Sequence, residues 1–153
     1  MKEDKKHLSV SAIQNGTVID HIPAQNLFKV ISILGLDGIS NQITFGSNFG
    51  SEKMGRKAIV KIADKYFERD EINRIAIVAP NAKLNIIKDY EVVEKMVVEV
   101  PKEIRGIVRC MNPKCITNAE GIGTRFEVAD KASVTLWCCY CEKITDPDHM
   151  EFL

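Results

Sequence analysis

Apolar and polar positions change period along the chain, and each change marks a predicted element. Leu8, Val10 and Ala12 alternate with Ser9 and Ser11, the period-two pattern of a half-buried strand. Asn15-Gly16 supplies a turn. Leu27, Ile31 and Leu34 then recur at helical spacing, with Pro23 placed for the first helical turn and Gly35 just past the end. Ile43 and Phe45 flank Thr44 in a second strand, followed by a glycine- and serine-bearing loop over 46–55. Residues 58–62 read as another strand, with Val60 and Ile62 flanking Lys61. A second helix fits 69–78, with Asp70 and Glu71 near its positive N-terminal end and Ile72, Ile75 and Ala76 as its buried positions. Residues 84–87 and 90–98 close the series as strands.

The order is strand, helix, strand, strand, helix, strand, with one strand more at the end. That is the split βαβ arrangement of a ferredoxin-like sheet carrying its helices on one face. Pro101, beside Lys102 and Glu103, marks a linker, so the chain divides into a domain over 1–101 and a smaller one over 102–153. Val128, Val134, Leu136 and Trp137 are the main apolar stock of the second part. A unit of that size rarely holds together by burial alone and usually needs a metal or disulfides. The expected fold class is therefore α+β, with a small all-β domain appended.

Composition refines this reading. Of 153 residues, 45% are hydrophobic and 27% charged, as in an ordinary globular protein. Lys+Arg 21 balance Asp+Glu 21, which excludes a chain-wide basic field of the kind that binds nucleic acid or membrane surfaces without specificity. The densest apolar stretch, 75–79, is far too short to cross a bilayer. The charged start lacks the apolar core of a secretory signal, and the expected location is the cytoplasm.

All five cysteines lie at or after Cys110, and an odd number without an export signal argues against a disulfide framework. Cys110-x4-Cys115 and Cys138-x2-Cys141 form two short pairs. Each spacing lets a tight turn aim two thiolates at one ion, and two such turns close a tetrahedron. Four soft sulfur ligands favour zinc over iron and leave no open position, so the site is structural. Arg109, Lys114 and Lys143 offset its negative charge. The bland reading is a cluster of buried, reduced thiols. Cys139 is read as a spare thiol, because Cys139-x-Cys141 would be too tight a loop. A rival pairing of Cys115 with Cys139, and His149 as a replacement ligand, stand as the less favoured readings.

No catalytic set emerges. Gly50-x4-Gly55-Arg56-Lys57 misses the phosphate-binding loop, which needs Lys directly after the second glycine and then Ser or Thr. Asp20 and His21 are adjacent, and neighbours in sequence ordinarily project in different directions.

One long run adds more. Gly16-Thr17-Val18-Ile19-Asp20-His21-Ile22-Pro23-Ala24-Gln25 resembles the regulatory chain of aspartate carbamoyltransferase. The similarity continues through Met54-Gly55-Arg56-Lys57, Ala79-Pro80, Asn85, Asp89-Tyr90-Glu91-Val92-Val93 and Lys95, and ends with both cysteine pairs and Tyr140-Cys141-Glu142. The resemblance implies a non-catalytic subunit in pyrimidine biosynthesis. Its N-terminal allosteric domain would bind the nucleoside triphosphates CTP, UTP or ATP, and its zinc domain, holding one structural ion per chain, would dock on catalytic-chain trimers. Regulatory chains would also pair as dimers. By resemblance, Lys95 and His21 face phosphates, and Asp20 and Lys61 hold the ribose. Val10, Ala12, Ile13, Asn85, Ile87, Tyr90 and Val92 line the base pocket, with Lys57 as a further cation near a strand end. A concentrated anion needs several such cations around it. The alternative is a stand-alone zinc-ribbon protein that binds nucleic acid. It would want a basic stripe interleaved with aromatics, whereas the last third carries Glu120, Glu127, Asp130, Glu142, Asp146, Asp148 and Glu151. Neither nucleic acid nor membrane is an expected partner.

Overall fold

The computed structural model describes residues 12–52 and 55–153. Strand β1 (Gly16–Pro23) leads through a 3-10 turn (Ala24–Asn26) into helix α1 (Leu27–Ile33). β2 (Ile43–Ser51) and β3 (Gly55–Ala63) form a hairpin, followed by α2 (Arg69–Val78), β4 (Lys83–Lys88) and β5 (Glu91–Val97). The strands lie in the order β2-β3-β1-β4-β5, and every neighbouring pair is antiparallel. β3 is thus inserted between β1 and β2, and β1 between β3 and β4, as the split βαβ reading expects.

Alternation decides which face is covered. Thr17, Ile19 and Ile22 of β1, Ala58, Val60 and Ile62 of β3 and Leu84 of β4 are fully buried. All of these but Thr17 pack in one apolar cluster with Leu27, Val30 and Ile33 of α1 and Ile75–Val78 of α2. The residues between them, among them Val18, Asp20, Lys61 and Asn85, lie on the opposite, open face and are only partly buried. Gly35 ends α1 in the left-handed conformation (φ 64°), a C-cap that costs glycine nothing. α2 begins with a capping box: the Glu68 carboxylate accepts from the first turn, and the Glu68 N–H donates to Glu71 at 3.3 Å. Ile72 is half-buried, and the buried set runs from Ile75 to Val78.

One expectation about the first half falls outside the described residues and two are corrected. The strand anticipated at Leu8–Ala12 lies mostly outside the described residues, and Ala12 itself has no regular structure. The described strand β1 was hidden because its alternation breaks at a bulge, where Asp20 and His21 together stand against Ile59. Pro23 ends this strand rather than entering a helix. Where a loop is expected over 46–55, the described residues are instead paired strand as far as Ser51 and again from Gly55, with a register shift between Gly46 and Phe49 around Asn48 (φ 64°). This stretch carries no apolar alternation because it projects beyond the core.

Gly16 is required at the start of β1. Its φ is 139°, and a Cβ there would lie 2.1 Å from the Ile62 carbonyl oxygen.

The rest of the chain builds a sheet β10-β9-β8-β6 and a separate pair β11-β7. These are β6 (Glu103–Arg105), β7 (Val108–Arg109), β8 (Arg125–Asp130), β9 (Thr135–Cys138), β10 (Ile144–Thr145) and β11 (Glu151–Phe152). Phe126, Leu136, Ile104 and Val108 are its buried core. The all-β expectation needs one amendment, a single-turn helix α3 (Ile116–Ala119) that starts on the Cys115 carbonyl. Val134, buried and at φ 55°, lines a cleft together with Pro23, Asn26, Ile77 and Val78. Among the described residues no helix is long and apolar enough to cross a membrane.

Candidate functional site

The four paired cysteines converge. Their Sγ atoms all lie within 4.8 Å of one another, with Cys110–Cys141 at 3.6 Å and Cys115–Cys138 at 3.8 Å. A disulfide would require about 2.05 Å. Sulfurs placed tetrahedrally at about 2.3 Å from one ion stand about 3.8 Å apart. The separations are those of ligands sharing a cation. Cys139 is not part of the group, as the spacing argument expected, and its backbone N–H donates to the Arg125 carbonyl. His149 is also outside it; its Nδ1 lies 2.7 Å from Asp146.

Position and charge both follow from the turns. Cys110 ends the β7 stretch, Cys115 caps α3, and Cys138 and Cys141 bracket the turn after β9. The Asn112 N–H points at Cys110 and the Lys143 N–H at Cys141, while Thr117 donates its hydroxyl to Cys115 Sγ at 3.2 Å. Thr117 is a contributor the sequence reading missed; the signal was its place two residues after a ligand. Burial drives the Cys110 and Cys138 thiols upward in pKa. Burial also pushes Cys141 up, but the Lys143 N–H, the Asn112 side chain and the neighbouring thiols bring it down to about 7. Four sulfurs this close cannot all ionise on their own account, and a divalent cation is what deprotonates such a set outright.

The second constellation lies on the open face of the five-stranded sheet. Strand register puts Thr44, Lys61, Val18, Asn85 and Lys95 in one row across β2, β3, β1, β4 and β5. Directly paired residues share a face, so Lys61, Asn85 and Lys95 are brought together. One step along, Asp20 takes Lys57 at 3.0 Å, with Asp20 and Lys57 side chains both largely covered. The bulge changes the expectation for its neighbour. His21 (φ 61°) does not project away but turns beside Asp20, donating its N–H to Oδ1 at 2.6 Å, with Nδ1 at 3.6 Å from Oδ2. At the other end, Ile87 pairs with Val92, and Tyr90 sits in the β4–β5 turn at φ 67°. The Tyr90 N–H donates to the Gln14 carbonyl at 2.8 Å, which ties Gln14, next after Ala12 and Ile13 in the chain, to this turn. Val10 lies outside the described residues. Desolvation lowers the Lys61 ammonium, the mark of a partly sheltered face.

Residues 8–99 match a family model described as aspartate carbamoyltransferase regulatory chain, allosteric domain. Residues 102–151 match its companion, aspartate carbamoyltransferase regulatory chain, metal binding domain. The chain belongs to the family of aspartate carbamoyltransferase regulatory chains. It is 60% identical to the regulatory chain of Parabacteroides distasonis over 92% of each chain. It is 53% identical to that of Phocaeicola vulgatus over 100% of this chain and 99% of the other. With that of Pyrococcus horikoshii the figure is 50%, over 94% of this chain and 95% of the other. As a regulatory chain it is a non-catalytic subunit with an allosteric domain and a metal-binding domain, whose partner is a catalytic chain.

Proposed function

We propose that this regulatory chain binds the nucleoside triphosphates CTP, UTP and ATP on the open sheet face of an allosteric domain over 1–101. A second domain, 102–153, holds one structural Zn2+ on Cys110, Cys115, Cys138 and Cys141 and docks on catalytic-chain trimers in the cytoplasm. Effector binding there adjusts carbamoyl transfer to aspartate in de novo pyrimidine biosynthesis. The observation that carries the reading is the row Lys61–Val18–Asn85–Lys95, with Asp20 and His21 one step away. Cations, a carboxylate and an amide so placed suit a phosphate chain, a ribose diol and a base edge in turn. Ile87, Val92 and Tyr90, with Ala12 and Ile13 from the segment that leads to Gln14, suit the apolar faces of the base.

Zinc is favoured over iron by the closed, all-sulfur, tetrahedral spacing and the absence of any need for redox chemistry in a structural role. Met111 and Ile116, both strongly exposed beside the cysteine cluster, offer an apolar contact to a catalytic chain. β2 is an edge strand. Its Phe45 stacks edge to face on Phe28 at 6.1 Å, both rings exposed, which supports pairing with a second copy of the chain.

The test is calorimetric titration of CTP and ATP into the full chain and into Lys95→Ala and Lys61→Ala. Losing one charge-assisted contact costs ~1.5–3 kcal/mol, so affinity should fall on the order of ten- to a hundredfold. Unchanged affinity in both variants removes the site.

A further inference from the structure

Lys83, which is none of the nucleotide contacts named above, stands by strand register at the Asp20 end of the open face. It pairs with Asp20 of β1 on one side and Val97 of β5 on the other. It therefore shares the open face with both, and stands two residues along β4 from Asn85, the partner of Lys95. Its row lies about 13 Å from the row of Ile87 and Val92, at about 3.3 Å per residue. That is the span between the apolar end of the face, beside Tyr90, and the end marked by Asp20 and His21.

The charge balance of that end is uneven. Lys57, Lys61, Lys83 and Lys95 all lie on this face, and in the two central rows Asp20 is the one carboxylate. Asp20 is already engaged, by Lys57 at 3.0 Å and by the His21 N–H at 2.6 Å. Among the described residues Lys83 enters no ion pair. Crowded like charges on a sheet repel, and an anion laid among them relieves that repulsion while gaining several charge-assisted hydrogen bonds.

We propose that Lys83 is a further phosphate-contacting residue of the sheet-face site, and that it reads the length of the phosphate chain. It grips the distal phosphates of a nucleoside triphosphate and leaves a monophosphate untouched. This rests on the nucleotide reading above and names the residue by which that site favours triphosphates.

The test titrates CTP and CMP separately into the full unmodified chain, Lys83→Ala, Lys83→Arg and Lys95→Ala. Lys83→Ala should weaken CTP about tenfold and leave CMP within twofold. Lys83→Arg, which keeps the charge, should restore most of the CTP affinity. Equal effects on CTP and CMP, or none on either, with normal binding by the unmodified chain and loss in Lys95→Ala, overturn the role of Lys83 alone. An unmodified chain that binds neither nucleotide overturns the nucleotide reading, and this inference with it. Matching circular dichroism of Lys83→Ala and the unmodified chain excludes a folding defect, since the side chain is exposed.

Discussion

Lys57 Nζ stands 3.0 Å from one oxygen of Asp20 and 3.2 Å from the other, across the bulge that breaks the period of β1. The bulge is what makes the contact possible. It lets two successive β1 residues share a side, so that Asp20 meets Lys57 while its Oδ1 also takes the His21 N–H. The carboxylate therefore fixes the backbone of the bulge as well as pairing a lysine.

A double-mutant cycle with Asp20→Asn and Lys57→Met should show that coupling. Both side chains are about four-fifths covered, and hydrogen bonds to charged groups are worth ~1.5–3 kcal/mol. Urea unfolding at constant metal should give an interaction energy of about 1–2 kcal/mol. Additivity of the two single changes within about 0.5 kcal/mol would mean that the pair contributes nothing.

Gly16→Ala tests the opening of β1. The added Cβ would press on a backbone carbonyl, not on a side chain that can move, and φ at 139° suits glycine alone. Strain and overpacking together should cost about 3 kcal/mol or more, read as a lower urea midpoint with an unchanged slope. A midpoint within error of the unmodified chain contradicts the close approach of β1 to Ile62.

How much of this was legible in the sequence depended on period. α2 was readable to its ends because its apolar spacing and first-turn acids agree, and the capping box supports both. The cysteine centre was readable because ligand spacing is a local property, and the four sulfurs meet as the pairs required. β1 was not readable as a strand, since its bulge sets Asp20 and His21 where alternation demands one residue. The outer part of the β2–β3 hairpin was hidden for another reason: it projects past the core, so backbone pairing holds it and no apolar pattern marks it. The sheet-face row was beyond any local pattern. Lys61, Asn85 and Lys95 come from three strands, and only the register of β1 between β3 and β4 aligns them.

Metal removal should unfold the C-terminal sheet, since a structural thiolate site contributes its binding energy to folding. Cys110→Ala, Cys115→Ala, Cys138→Ala and Cys141→Ala should each lose the ion and the fold of the β8–β9 region. Cys139→Ser should keep one zinc per chain, because that sulfur stands outside the cluster. Metal analysis beside near-UV circular dichroism checks both. Full zinc in Cys138→Ala with none in Cys139→Ser would reverse the ligand assignment.

The chain's end carries a pH-dependent contact. Asp146 Oδ1 accepts from the His149 backbone N–H at 3.0 Å and lies 2.7 Å from His149 Nδ1. This hydrogen bond raises the His149 imidazole above its ordinary value and holds the Asp146 carboxyl below its own. A raised histidine contributes fully below its unfolded pKa of about 6.5 and loses that contribution as pH rises through the higher folded value. The lowered aspartate contributes above its unfolded pKa of about 3.9 and loses that as pH falls through the folded one. The thermal midpoint of His149→Ala should therefore fall furthest below that of the unmodified chain near pH 5.5–6, with the gap narrowing toward pH 8.5. A constant gap across that range would show that the imidazole charge plays no part.

Sensing and docking should separate under single substitutions in the full chain. Every candidate nucleotide contact lies on the five-stranded sheet or the segment before it, and every metal ligand lies beyond Arg109. A nucleotide alters a distant active site only by binding two assembly states with different affinity. The difference must pass from the sheet to the metal-binding part, and one place where the two adjoin is the cleft lined by Val134 together with Pro23, Ile77 and Val78. Lys95→Ala should therefore still assemble with catalytic trimers but leave their aspartate saturation curve indifferent to CTP. Met111→Glu, at an exposed position next to the cysteine cluster, should bind CTP normally and fail to assemble. Val134→Ala keeps both surfaces intact and trims only the contact between them. It should bind CTP and assemble, yet give a smaller CTP-dependent shift in the aspartate curve. Analytical ultracentrifugation with CTP titration and aspartate saturation reads all three. A full-sized CTP shift in Val134→Ala would place the line of communication elsewhere, and a CTP response in unassembled Met111→Glu mixtures would end the division of labour.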